Sequence, residues 1–277
     1  MSEIRYSVQH VPTVSKFWKS DCFQRVLLGP FGSGKSSGCV QEIVRRASTQ
    51  IPDETGTRRT RWAVVRNSYP QLRDTTIRTV MDWYPRESFG KWSEQNHNFD
   101  MLWELPDGTK VRCELLFRAL DRPDQISNLL SLELTGAWVN EAREIPVQIW
   151  QALQGRVGRF PSFREEGCSW YGVFGDSNPP DDDHWIYNLF EEKRPDNAEI
   201  FKQPGGRTEQ AENIGNLPPD YYTNLADGKG DDFIRVYVDG EYGFVREGKA
   251  VFPESVSYTH LRAHETRHDL VCRLLLE

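Results

Sequence analysis

The sequence predicts an α/β fold: a mostly parallel central sheet flanked by helices, with an antiparallel hairpin element. Three observations carry this. Short β-rich apolar runs alternate with stretches of helical spacing, the pattern of right-handed βαβ units. Pro106-Asp107-Gly108-Thr109 joins two β-rich runs mid-chain, and Asp-Gly in that setting is a strong hairpin signal. Three polar segments fall at expected strand ends, after Leu28, Val139 and Phe174. Open α/β sheets place their ligands at such ends.

The elements follow in order. Gln24–Leu28 reads as a buried parallel strand ending at Gly29, and a helix runs from about Lys35 to Ala47 on Cys39, Val40, Ile43 and Val44. Arg61–Arg66 is a second buried strand. Pro70 opens a helix that carries Leu72, Ile77, Val80 and Met81 toward Trp83. Phe99–Leu105 and Lys110–Phe117 form the hairpin, placed as an insertion or an antiparallel edge. Leu132–Val139 is a strand stopping at Asn140-Glu141, and Pro146–Leu153 is a short helix. Trp170–Phe174 is a strand running into Gly175-Asp176-Ser177-Asn178. Pro218–Leu225 and Asp231–Tyr237 complete the chain as two short helices. Phe17 and Trp18, upstream of the first strand, read as core rather than as a platform for a base.

With 277 residues, the chain has room for one large domain, or one domain and part of another. Its 38% hydrophobic and 27% charged residues exclude a low-complexity chain. No run approaches the roughly 18 apolar residues of a membrane helix, and MSEIRYSVQH lacks the apolar core of a secretion signal. Neither membrane insertion nor secretion is expected. Cys22, Cys39, Cys113, Cys168 and Cys272 include no CxxC pair and read as reduced thiols. The net charge of -7 does not favour non-specific nucleic-acid binding. Local distribution matters more. Arg58, Arg59, Arg61, Arg66, Arg73 and Arg78 cluster with only Asp74 among them in sequence. That stretch reads equally as a nucleic-acid contact or a solvated face.

Gly29-Pro30-Phe31-Gly32-Ser33-Gly34-Lys35-Ser36 matches G-x-x-x-x-G-K-[ST], the phosphate loop, without a mismatch. Its glycines allow the backbone to wrap an anion. The N–H groups and the following helix N-terminus face phosphate. Lys35 would contact the β- and γ-phosphates of ATP, and Ser36 would hold Mg²⁺. Ser37 completes the expected binding segment. The fold class narrows to a P-loop NTPase of the additional-strand type. In that type, a strand shaped like Ala137-Trp138-Val139 ends in a metal-associated acid followed by a glutamate that activates water. Glu141 is therefore the candidate general base. Asn140 stands at the acid's place, where an amide can accept from a metal-bound water but adds no charge. Gly175-Asp176-Ser177-Asn178 either senses the γ-phosphate or is an ordinary turn. Asp181-Asp182-Asp183-His184 reads as a turn capping the next helix rather than as a cation site.

GPFGSGKS, LTGAWVNEAREIP and GDSNPPDDDHW, in that order and spacing, resemble the large terminase subunit of tailed bacteriophages over about residues 10–254. The resemblance implies an ATP- and Mg²⁺-dependent motor that drives double-stranded DNA into a procapsid in the host cytoplasm. It implies a portal protein and a small terminase subunit as partners. It also implies a homo-oligomeric ring on the portal, with a monomer left open for the isolated chain. By the same resemblance, Gly29, Gly34, Lys35 and Ser36 match the phosphate loop, Glu141 the catalytic glutamate, and Ser177 and Asn178 the coupling motif. Arg66 and Arg73 resemble the segment following the second strand. Some family members carry an arginine within the phosphate loop, and this loop has none. An arginine finger would come from Arg122, Arg143, Arg156 or Arg159, in cis or from a neighbouring subunit. Arg122 is favoured because it precedes the Glu141 strand; a surface salt bridge is its alternative role.

The resemblance implies a motor domain over residues 1–245 and a linker over 246–254. The linker would lead toward an RNase H-type nuclease domain that this chain is expected to lack, so nuclease activity is not expected. Residues 255–277 resemble translated sequencing-adaptor read-through and are expected to be non-native. They include His264-Glu265-Thr266-Arg267-His268, an H-E-x-x-H match, with His260 before it. A catalytic zinc site is not expected there, for want of a third ligand and a scaffold. Two other functions remain open: another P-loop enzyme, such as a helicase-like ATPase or a kinase, and a nucleotide-binding assembly module without turnover.

Overall fold

Eight strands form one sheet in the order β3-β4-β5-β2-β6-β7-β1-β8 in this computed structural model, which describes residues 7–120 and 122–244. The strands are β1 (Gln24–Leu28), β2 (Thr57–Arg66), β3 (Gly90–Ser93), β4 (Asn98–Glu104), β5 (Lys110–Ala119), β6 (Gly136–Asn140), β7 (Gly172–Ser177) and β8 (Ala198–Lys202). From β5 across to β8 every pairing is parallel; β4 pairs antiparallel with both β5 and β3. The predicted hairpin is thus the antiparallel edge, and its second strand also opens the parallel array.

The central strands β1, β6 and β7 are buried at every position. Apolar runs without polar alternation are what a sheet covered on both faces requires. One face packs Phe17, Leu27, Cys39, Ile43, Trp62, Trp138 and Phe174 together. Helix α1 (Pro12–Lys19) and helix α2 (Lys35–Thr49) contribute to that cluster. The other face gathers Leu28, Ala63, Val65, Val139, Trp150 and Ile186. Phe17 is fully buried, edge-on to Phe174 and Phe201, which is the core role expected of it. The helical run that opens near Pro70 extends from Tyr69 to Trp83, with a π-helical middle over Leu72–Ile77.

The structure corrects several expectations. β6 begins at Gly136, not Leu132; before it, Leu134 makes only an isolated bridge to Val157. Gly136 is needed there because a Cβ would collide with the Trp62 ring. β7 begins and ends later than expected. Gly175, Asp176 and Ser177 are strand residues, held between β1 and β6 by the pairs Leu27↔Asp176 and Asn140↔Asp176. Parallel pairing on both sides overrides the turn preference of Gly-Asp-Ser. Helix α1 and strands β3 and β8 were not foreseen. β3 is four residues long, and β8 (AEIFK) is a short edge strand with little apolar pattern.

The arginine stretch is not an open basic patch. Carboxylates distant in sequence meet it: Arg58 pairs with Asp107, Arg59 with Glu166, Arg61 with Glu114 and Arg66 with Glu144. Arg73 pairs with neighbouring Asp74, and Arg78 is exposed. The linker at 246–254, the segment 255–277 and its H-E-x-x-H match lie outside the described residues. Among the described residues no helix is long and apolar enough to cross a membrane.

Candidate nucleotide site

β1 delivers the chain at Leu28 into the loop Gly29–Gly34, and α2 begins at Lys35. Gly32 and Gly34 have φ of 72° and 82°, left-handed values that a side chain resists. The loop's carbonyls are all occupied. Lys35 Nζ donates to Gly29 O (3.0 Å) and Pro30 O (2.6 Å). Asn178 Nδ2 also donates to Gly29 O (2.8 Å), and Ser33 Oγ to Pro30 O (2.8 Å). The Tyr222 hydroxyl donates to Phe31 O (2.7 Å), Asn213 Nδ2 to Gly32 O (2.7 Å) and Gln203 Nε2 to Ser33 O (2.9 Å). Gly34 O accepts from Gly38 N–H in the first turn of α2. With its acceptors bonded to the protein, and the Gly29 and Phe31 N–H groups bonded to Ser177 O and Tyr237 O, the loop leaves the N–H groups of Gly32, Ser33 and Gly34 for an anion, together with the unpaired donors of the helix N-terminus.

Sequence reasoning missed this outer clamp. Gln203, Asn213 and Tyr222 come from a segment without a motif, and Tyr237 stacks on Phe31 at 4.4 Å while its carbonyl accepts the Phe31 N–H. Only the short helices over 218–237 gave a hint, and they carried no polar pattern tied to the loop.

Lys35 is buried, and burial pulls its pKa down to about 8, against the opposing influence of the Asp176 charge. Ser36 Oγ donates to Asp176 Oδ2 at 2.6 Å. Asp176 is fully buried and also accepts from Trp138 Nε1 (2.8 Å) and Asn140 Nδ2 (3.0 Å), both at Oδ1. The Asn140 carbonyl oxygen accepts from Thr76 Oγ1 at 2.7 Å. Ser36, Asn140 and Asp176 therefore form one network across α2, β6 and β7. Asp176 was read only as part of a polar segment; its partnership with Ser36 depends on strand order, which no local pattern reveals.

Glu141 follows β6 in the left-handed conformation, φ 52° and ψ 56°. A non-glycine residue held there costs on the order of 1–3 kcal/mol, and such strain clusters at functional sites. Ser177 Oγ donates to Glu141 Oε2 at 3.4 Å. The expected coupling pair thus joins two parts of the site, Ser177 at Glu141 and Asn178 at the phosphate loop.

The arginines separate by place. Arg143 donates to the Tyr237 hydroxyl (2.8 Å), which ties it to the residue stacked on Phe31. Arg66, at the end of β2, is buried beside Glu144, and its Nε and Nη1 have no hydrogen-bond partner. Arg122 is exposed and follows β5, whose last residue Ala119 pairs with Arg66. It therefore lies toward the sheet edge that carries the loop. Arg156 and Arg159 bond to Leu134, at the opposite end of β6 from Asn140. That position excludes both from reaching this chain's own loop. Arg73 is exposed and paired with Asp74.

A cavity of about 400 Å³ opens beside the loop, lined by His10, Val11, Gly34, Ser37, Trp83 and Asn213 among others. Trp83 Nε1 donates to Ser37 Oγ at 3.0 Å. His184 caps the helix that follows it by accepting from Ile186 N–H, and burial lowers its pKa. Among the described residues no cluster of three or more His, Cys, Asp or Glu could hold a metal ion on its own.

No protein-family model and no curated protein matches the sequence. Solved structures do match. The large terminase of a thermophilic bacteriophage aligns at TM-score 0.65 and 12% identity, over 88% of this chain and 55% of that one. The fold is that of the large terminase ATPase domain. The ATPase domain of a Thermus phage large terminase aligns at TM-score 0.54 and 14% identity, over 86% of this chain and 95% of that domain. The bacteriophage HK97 large terminase aligns at TM-score 0.57 and 9% identity, over 87% and 52%. This chain therefore spans about half the length of the full-length terminases it resembles. The thermophilic phage terminase has been crystallised with ADP and with ATP-γ-S.

Proposed function

We propose that the chain is the ATP-hydrolysing motor domain of a terminase large subunit, acting on double-stranded DNA. The observation that carries this reading is the convergence of three strand ends on one edge of a terminase-type sheet: the loop after β1, Glu141 after β6, and Ser177-Asn178 at β7. The loop N–H groups and the α2 N-terminus bind the polyphosphate. Lys35 exchanges its loop carbonyls for phosphate oxygens. Glu141 orients a water and takes its proton. Ser177, the last residue of β7 and the hydrogen-bond partner of Glu141, couples the state of the site to the sheet. The cavity beside Ser37 and Trp83 has the volume for a nucleoside.

The residues fit Mg²⁺: Ser36 gives its hydroxyl hydrogen to a buried carboxylate, leaving oxygen lone pairs for a cation. The ion, when bound, neutralises the phosphate oxygens. Arg122, exposed near the same edge, would serve a neighbouring copy in a ring, and such an arginine is worth about 10³–10⁵ in rate. A small terminase subunit and a portal ring are the partners this reading implies.

A helicase-like ATPase would share the chemistry but not the substrate. Steady-state hydrolysis with and without double-stranded DNA tests the motor reading. Stimulation by duplex and not by single strands is expected. Hydrolysis indifferent to duplex DNA would remove the motor and leave an ATPase.

A further inference from the structure

We propose that Asp176, on β7, is the carboxylate that holds the divalent cation of this site, in place of the β6 residue Asn140. The proposal rests on reading the loop as a nucleotide–Mg²⁺ site and deepens it. Asn140 and Asp176 are register partners on adjacent parallel strands, so their side chains leave the sheet on the same side. Neighbouring strands lie about 4.8 Å apart. Exchanging the acid between them moves its charge by one strand and keeps it against α2. The amide has then taken the place on β6, and the acid the place on β7.

The hydrogen bonds set the orientation of both groups. Both Asp176 oxygens act as acceptors. They face the Asn140 NH₂ group at 3.0 and 3.2 Å, so the Asn140 carbonyl oxygen must point away, where Thr76 satisfies it. Asn140 therefore turns donor hydrogens toward Ser36, at 3.3 Å from its Oγ. A donor pointed at the cation's place cannot ligate it or accept from its water. Asp176 Oδ2, by contrast, lies 2.6 Å from Ser36 Oγ. A cation on the Ser36 hydroxyl would meet that oxygen directly or through one of its own waters. Mg²⁺ retains several waters in such sites.

Charge balance points the same way. Asp176 is fully buried, yet none of its hydrogen-bond donors, Ser36, Trp138 and Asn140, carries a charge. The charges of Lys35 and Arg66 reach Asp176 only through space, and a buried carboxylate bonded to neutral donors alone is costly. A divalent cation on Ser36 would add a positive charge within direct or one-water reach of Oδ2, closer than either side chain comes to it. Trp138 Nε1 then acts as the positioning group that aims the carboxylate, as outer partners do in metal sites generally, and it holds the same Oδ1 as the Asn140 amide, whose bond is therefore dispensable.

The test is calorimetric titration of ADP into the full chain, in EDTA and in saturating Mg²⁺. The gain in affinity on adding Mg²⁺ is the quantity read, and no turnover is needed. Asp176→Asn should reduce that gain about tenfold or more, the affinity in EDTA serving as each protein's own reference. Asn140→Ala should keep the gain within about threefold, a range below the effect expected of a lost metal partner. Should Asp176→Asn not fold, Asp176→Ser gives the same reading, because it keeps an oxygen acceptor for Trp138 and Asn140. A full gain in the Asp176 variant, or its loss in Asn140→Ala, overturns the assignment. A parent that binds ADP equally with and without Mg²⁺ also overturns it, while the nucleotide reading stands. A parent that binds no ADP in either buffer removes the nucleotide reading itself.

Discussion

Lys35 sits in the protein as an amine surrounded by backbone oxygens, with its pKa drawn from the usual 10.5 down to about 8 by burial. Between those values the folded chain holds fewer protons than the unfolded chain. This group's contribution to stability therefore rises with pH across the window. A polyphosphate reverses the balance, because it favours the ammonium form. Above about pH 8, binding must take up a proton, and affinity falls by up to about tenfold per pH unit. Titrations of ADP between pH 7 and 9.5 should show that fall, together with proton uptake in buffers of different ionisation enthalpy. A flat profile with no proton uptake would mean that Lys35 does not meet the phosphates. At this scale the loop's conformation was legible, since it is local: Gly32 and Gly34 take the left-handed φ expected of them, and α2 begins at Lys35. Asp176 was not, because its role depends on which strand lies beside which.

Helix α2 and strand β1 are bound by a buried ion cluster that no motif announced. Arg25 and Glu42 are both fully buried and 2.8 Å apart, and Arg46 joins Glu42 at 2.8 Å. Arg25 also donates to Phe17 O (2.8 Å) and lies over the Phe17 and Trp170 rings, so the same cluster anchors α1. Glu42→Gln would leave Arg25 buried without its counter-ion. Such a loss costs about 3–5 kcal/mol, or a fall in Tm of roughly 10 °C for a chain of this size. Thermal and urea unfolding measure it directly, and a Tm within about 2 °C of the parent would contradict it. From sequence, QRVLL read as a buried β-rich run, with no role marked for Arg25. The elements that sequence did resolve, β1, α2, β2 and the hairpin, have either an unbroken apolar run or strong turn chemistry. β7 was misplaced because Gly-Asp-Ser favours turns locally, and β8 was missed because an edge strand needs little apolar pattern.

For the whole molecule, the three strand-end segments predicted the sheet, and their polar residues do meet at one edge of it, because α/β topology puts successive strand ends together. The strand order, the clamp of Gln203, Asn213 and Tyr222 on the loop, and the neutralised arginine stretch are long-range facts. Asp107, Glu166 and Glu114 lie about 50 to 107 positions from the arginines they pair with, and only folding brings them near. Paired arginines of this kind contribute little to phosphate neutralisation, so the DNA contact proposed above would rest on other residues. The proposed role of Glu141 as general base in ATP hydrolysis is open to test on the chain itself. The direct measurement is steady-state phosphate release by the chain and its Glu141→Gln variant, with ADP binding measured on both. The expected result is about a hundredfold or greater loss of hydrolysis, on the order of a removed general base, with binding retained. Equal hydrolysis by the two proteins would contradict it.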